Sequence, residues 1–268
     1  ILPAFQIIRT RPGVSLVSVG DSFTEGVGDP YPSPGTGFRG WADRLAEHLA
    51  DHLGEIEYAN LAVRGKLMRQ IITDQIPPAL EMAPNLVTLS AGGNDLLRPG
   101  GDPERMAWIL EATVRRLRGA GSQVVLFTGV NISKGYMRGA IGLFARYYMH
   151  IRAIADAHGC FLVDQWSMKV LTDPRAWDED RLHMSPEGHR RLALRVAEVL
   201  GTRFARAVDR TTSDRAVLGG LGHGQASGTG PDDQGPLSPS WCEMSLKTPK
   251  SVNLLSRNHG VESDHGAL

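Results

Sequence analysis

Five short apolar runs alternate with longer stretches of helical period, and that alternation leaves few folds open to the chain. The runs are Ser15–Val19, Ile56–Asn60, Leu86–Ser90, Val124–Thr128 and Cys160–Val163. Each is apolar on both faces, as parallel strands are when helices cover the sheet on either side. Between the first two, "GWADRLAEHLADHL" sets Trp41, Leu45, Leu49 and Leu53 four apart on one helix face. Asp43, Arg44, Glu47 and Asp51 take the other, solvent-facing side, so one apolar stripe packs on the sheet. His48 and His52 share a helix spacing that suits a metal, but no third ligand accompanies them, and a solvated face is the plainer reading.

"PERMAWILEATVRRLRGAG" opens with Pro103 in a first turn and closes at Gly119 and Gly121, conventional helix start and stop signals. Another helix is expected from Ile141 to His158, and a last one from Ser185 as N-cap and Pro186 as first helical residue. Right-handed crossovers wind this order into an α/β fold: a three-layer α/β/α sandwich with a five-stranded parallel sheet. The expected domain spans 15–208, after an N-terminal extension of 1–14. From Asp209 to 268 the chain turns rich in glycine, serine and proline, and this tail is expected to be largely disordered or loosely docked, with Trp241 and Cys242 as candidates to anchor a short piece of it.

Composition narrows the partners. Lysine plus arginine and aspartate plus glutamate number 29 each, and no basic run stands out, so neither nucleic acid nor an anionic membrane is an expected partner. Apolar runs stay far below the roughly 18 residues of a membrane span, which excludes stable membrane insertion by a helix. The two cysteines, Cys160 and Cys242, form no metal-binding spacing, and Cys160 reads as a small core residue. No cofactor is implied. "ILPAFQIIRTRPG" is a poor signal peptide and lacks an initiator methionine, so an upstream segment removed from the chain is one expectation and a cytoplasmic location the default one.

The first strand empties into "VSVGDSFTEGVGDP", where Ser22 follows Gly20 and Asp21. A phosphate cradle would need a third glycine or a lysine at a helix start, and neither follows Gly26-Val27-Gly28. A nucleophile at the carboxyl end of a parallel strand would need partners on the same rim. Candidates stand where they are needed: "NLAVRG" after the second strand ends in Gly65, "SAGGNDLL" after the third carries Asn94, and "WDEDRLHMSPEGH" before the last helix holds Asp180 and His183. Each has a plainer reading: Ser22 as a cap, Gly65 as a positive-φ turn, Asn94 as a turn residue. His189, two turns into the last helix, reads as packed or solvated, Asp95 as a local stabiliser of its turn, and Asp21 as an acceptor for loop amides. The absence of G-x-S-x-G around Ser22 argues against an α/β-hydrolase proper.

Together "GDSFTEG", "NLAVRG", "GGND" and "DRLHMSPEGH" resemble the four blocks of the SGNH, or GDSL-type, esterase and lipase superfamily, over roughly residues 15 to 208. Phe23 stands where the family name implies leucine. The resemblance implies a serine hydrolase that cleaves small-molecule carboxylic esters, with Ser22 as nucleophile, His183 as base and Asp180 orienting it. It further implies an oxyanion hole from the N–H groups of Ser22 and Gly65 and the side chain of Asn94. Short-to-medium acyl esters are expected, since no long apolar lid is evident; lysophospholipids, thioesters and acetylated carbohydrates are the alternatives on the same site. A non-catalytic binding module of the same fold is the rival from another class. Met137, Phe144, Tyr147 and Tyr148 follow the fourth strand and serve either an acyl pocket or helix packing.

Overall fold

A computed structural model describes residues 14–32, 37–131, 136–217 and 252–254, with side chains undescribed at 136, 137 and from 202 onward. Its strands are β1 (Val14–Val19), β2 (Ile56–Asn60), β3 (Leu86–Leu89), β4 (Gln123–Thr128), β5 (Phe161–Asp164) and β6 (Val252–Leu254). Its helices are α1 (Ser22–Glu25), α2 (Gly40–Leu53), α3 (Met68–Asp74), α4 (Ile76–Glu81), α5 (Gly93–Leu96), α6 (Pro103–Gly119), α7 (Ile141–Ala157) and α8 (Pro186–Val217). The sheet is parallel throughout, in the order β5-β4-β3-β1-β2-β6. The five expected strands lie within a residue or so of their expected ends. The sixth is a three-residue addition from within the expected tail, paired to β2 from Ile56 to Tyr58. The N-terminal extension to residue 13, Trp241 and Cys242 lie outside the described residues.

Successive strand residues feed opposite layers, as the pleat requires. Leu16, Val125, Phe127 and Val163 pack on one side with Trp41, Leu45 and Leu192 of α2 and α8. Val17, Val19, Val124 and Leu126 pack on the other with Ile71, Leu110, Val114 and Ile151 of α3, α6 and α7. The result is the three-layer sandwich. α8 starts as expected, with the Gly188 N–H donating to Ser185 Oγ at 3.3 Å, but it runs on to Val217, past the expected boundary at 208.

Asp43 departs from the expected solvent-facing side of α2. It is 4% exposed and accepts the hydroxyls of Tyr58 at 2.6 Å and Tyr31 at 2.9 Å. A buried carboxylate holds only when such donors replace water. Arg44 likewise turns inward to the buried Asp29, at 2.7 Å. His48 and His52 stack at 4.2 Å between ring centroids. Among the described residues no cluster of three metal-ligating side chains occurs, and no helix is long and apolar enough to cross a membrane.

One polar device sets the sheet's carboxyl edge. Gln75, 3% exposed, accepts the Gly20 N–H at 2.8 Å and donates to the Gly20 carbonyl at 2.9 Å, clasping the first residue beyond β1. Replacing Gln75 with leucine strands the Gly20 N–H and leaves the Gly20 carbonyl only its longer bond from the Val63 N–H. The expected loss is about 2 kcal/mol in urea unfolding; an unchanged denaturation midpoint would contradict the clasp.

Candidate active site

The chain order makes β1 the switch point of the sheet, with β2 on one side and β3 on the other, and loops at such a point frame a crevice. Backbone bonds tie those loops together. Ser18, Val19 and Gly20 carbonyls accept the N–H groups of Leu61, Ser90 and Val63 at 2.8, 3.3 and 3.3 Å. Gly20 must lack a side chain, because a Cβ there would stand 2.8 Å from the Ser90 carbonyl oxygen.

Ser22 is the first residue of α1, and Asp21 caps that turn by accepting the Phe23 N–H at 3.1 Å. Asn94 lies in α5, where its Nδ2 donates to the Lys66 carbonyl at 3.1 Å and faces Asp21 Oδ2 at 3.4 Å. Asp95 reaches further than its own turn: its Oδ2 accepts the Met68 N–H at 2.8 Å, joining the loops after β2 and β3. Gly65, at φ 73°, makes the positive-φ turn in the loop after β2. The N–H groups of Ser22 and Gly65 have no hydrogen-bond partner among the described residues.

The histidine arrives on a tight loop. An antiparallel bridge between Trp177 and Met184 closes it, the Asp178 N–H donates to the His183 carbonyl at 2.9 Å, and Arg181 takes φ 56° at its tip. Inside it Asp180 Oδ1 accepts the N–H groups of Leu182 and His183, both at 2.9 Å. Its Oδ2 bonds His183 Nδ1 at 2.6 Å, which leaves Nε2 as the ring's other face. Partial burial works against ionisation of Asp180, yet the two amides and the imidazole hold its carboxyl below the usual carboxylate range.

Ser22, Asn94 and His183 line one cavity of about 620 Å³, within the usual range for small-molecule sites. Asp180 stands behind His183, and Gly65 lies off the cavity wall, one residue from the Lys66 carbonyl that holds Asn94. The walls are mostly apolar, with Phe144, Tyr147 and Tyr148 on one side and Leu171, Trp177 and Met184 on the other. The aromatics of α7 therefore do both jobs left open by their spacing, packing the helix and facing the cavity. Met137's side chain lies outside the described residues.

His189 is packed, not solvated. It is fully buried, accepts the Trp41 N–H on Nδ1 at 3.1 Å and bonds the Val27 carbonyl through Nε2 at 3.0 Å, so it pins the loop after Ser22 to α2. That pairing requires a neutral ring, and burial holds its pKa below the ordinary value. Burial pushes the Asp21 carboxyl the other way, up to about 6, against the pull of the Phe23 amide and His183.

The sequence matches the GDSL-like lipase/acylhydrolase family over residues 18–191, and the chain belongs to that family. It is a carboxylic ester hydrolase by class. Solved structures share the fold. TesA is 23% identical, covers 70% of this chain and 99% of its own, and has a TM-score of 0.58. Axe2, an acetylxylan esterase from Geobacillus stearothermophilus, is 22% identical over 70% of this chain and 94% of its own, at 0.61. The psychrotrophic esterase EstA from Pseudoalteromonas sp. is 14% identical over 71% and 98%, at 0.57. No curated protein matches the chain in sequence.

The two shifted groups act on stability with opposite signs. Neutral His189 favours the fold above the unfolded imidazole pKa of about 6.5, and that contribution is lost as pH falls. Asp21, raised to about 6, takes up a proton in the fold first, so its burial cost shrinks as pH falls toward the unfolded carboxyl range. Asp21→Asn removes this compensation. Its unfolding free energy should drop more steeply than wild type from pH 7 to 5 in urea titrations; parallel curves would refute the assignment.

Proposed function

We propose that the protein hydrolyses small-molecule carboxylic esters through an acyl-enzyme on Ser22, with His183 as base and Asp180 orienting it. The observation that carries this reading is one cavity lined by both Ser22 and His183, with Asp180 bonded to the imidazole's far nitrogen. Ser22 Oγ attacks the ester carbonyl carbon while its proton passes to His183 Nε2. The carbonyl oxygen takes the negative charge, stabilised by the unspent N–H groups of Ser22 and Gly65 and by the Asn94 amide, which turns to it the N–H of its longer bond, 3.4 Å to Asp21. Collapse breaks the carbon–oxygen bond, and His183 returns the proton to the departing alcohol. Water then repeats the sequence on the acyl-enzyme and releases the acid. In support, serine-to-alanine and aspartate-to-alanine forms of Axe2 are catalytic mutants of that enzyme.

The largely apolar walls favour an acyl chain over a bare acetyl group, so short-to-medium acyl esters remain the preferred class. Thioesters, lysophospholipids and acetylated sugars would use the same chemistry.

Ser22→Ala should abolish turnover of p-nitrophenyl butyrate and labelling by a fluorophosphonate probe; wild-type turnover in that variant ends the proposal. Asn94→Ala should cost about 10²–10³ in kcat, the scale of one oxyanion donor. Activity should fall toward acid, because a protonated imidazole cannot accept the serine proton; a rate that holds flat into acid would remove His183 from the base role.

A further inference from the structure

At the ends of β4 and β5 the cavity is lined by Thr128 and Asn131, which have partners of their own, and by two further polar groups that the proposed reaction leaves unused. Gln165 lines the cavity, is 2% exposed, and its Oε1 is fully buried with no hydrogen-bond partner among the described residues. Tyr148 lines the same cavity, is 7% exposed, and its hydroxyl likewise has no partner among the described residues.

Register places the two together. Thr128 pairs with Asp164, so the next residues, Gly129 and Gln165, leave the sheet side by side, roughly 5 Å apart as parallel neighbours are. Tyr148's hydroxyl stands directly over Gly129, where any Cβ would overlap the oxygen. Trp166 wedges edge-on against the Tyr148 ring at 5.8 Å between centroids, fixing the phenol next to the Gln165 turn. Burial raises the pKa of the phenol, so it keeps its proton as a donor. A buried polar group without a partner is rare and costly in native proteins, and Gln165 Oε1 is one, beside a phenol that opens to the cavity with no partner of its own; together they point to a ligand that completes them.

We infer that Tyr148 and Gln165 form a polar subsite that binds an uncharged hydroxyl group of the substrate, making the preferred ester a hydroxylated one. Either a hydroxyacyl chain or a polyol leaving group can supply that hydroxyl, which both donates and accepts, matching an amide beside a phenol. A charged group fits poorly, because neither partner carries a charge to offset its desolvation. This inference rests on the ester-hydrolase reading of the same cavity.

The test compares esters matched except for the hydroxyl. One pair is p-nitrophenyl butyrate and p-nitrophenyl 3-hydroxybutyrate; the other is ethyl butyrate and glyceryl monobutyrate. Wild type should favour the hydroxylated member of at least one pair by about tenfold in kcat/KM, and which pair tells acyl from alcohol. In Tyr148→Phe and Gln165→Leu, each close to its parent in volume, that ratio should fall toward one. Absence of preference in both pairs, or a preference that survives both variants, overturns the subsite. If Ser22→Ala kept full turnover, or wild type cleaved none of the four esters, the hydrolase reading would fail by itself. Calorimetric titration of the Ser22→Ala protein with ethyl butyrate, ethyl 3-hydroxybutyrate and glyceryl monobutyrate then decides the subsite alone: tighter binding of a hydroxylated ester supports it, equal affinities overturn it.

Discussion

The backbone of Gly20 carries more of the architecture than any side chain in the cavity. Its N–H and carbonyl are clasped by Gln75, and the same carbonyl also accepts the Val63 N–H. Those bonds fix where β1 stops, and therefore where Ser22 emerges. They also fix the loop after β2 against it, while the Val19 carbonyl fixes the loop after β3 through Ser90. Three chain segments far apart in sequence thus meet through backbone groups whose positions the sheet has already determined. Loop side chains then need only short reaches: Asp95 to the Met68 amide, Asn94 to the Lys66 carbonyl, and Asn60 to the Thr24 carbonyl at 3.0 Å. A site assembled this way inherits the rigidity of the sheet, which suits chemistry that depends on preorganised donors.

His183 follows a different logic. Among the described residues its loop makes no backbone hydrogen bond to a strand end; it is a local turn held by its own backbone and by Asp180, with Met184 set into the core beside it. Placing acid and base three residues apart lets one carboxylate cap two amides and orient the ring at once. The left-handed conformation of Arg181, unusual for a residue with a Cβ, is what allows the chain to reverse so tightly there. The guanidinium's bond to the Pro174 carbonyl at 2.9 Å helps hold that reversal.

The fold was largely legible because its strongest signal is periodic. The five apolar runs and the amphipathic stripe of Trp41, Leu45 and Leu49 repeat at intervals that local inspection detects. α2 and α6 begin and end where their glycine, proline and apolar patterns place them. What escaped was aperiodic. Gln75 and Gln165 are single polar residues whose importance lies in contacts 55 residues away for one and in a cavity for the other. The inward turn of Asp43 depends on Tyr58, fifteen residues on, and helical period alone put it outside. The short helices α3 and α4 bury few apolar residues each, too few for a clear moment. β6 is set by pairing with a strand nearly two hundred residues earlier, a contact no window reaches. The candidate residues stood out for the opposite reason: Ser22, Gly65 and Asn94 fall in short blocks just after strands, and Asp180 and His183 in one just before the last helix, where chemistry and turn geometry share a few positions.

Asp21 shows how charge is managed among the buried loops at the end of β1. It cannot act as the orienting acid of the His183 imidazole, because His183 Nδ1 is already bonded to Asp180. Its geometry gives it another use. One oxygen holds the Phe23 amide, and the other, with the Lys66 carbonyl, sets two acceptors around Asn94 Nδ2. Turning the Asn94 amide over would press its oxygen against both, so the nitrogen is the end kept toward these acceptors. Burial supplies the complementary half of the arrangement by raising the Asp21 pKa to about 6, which lessens the energy separating its charged and neutral forms. An acid held this close to neutrality orients the Asn94 amide at a smaller cost than a carboxylate of ordinary pKa buried in the same place.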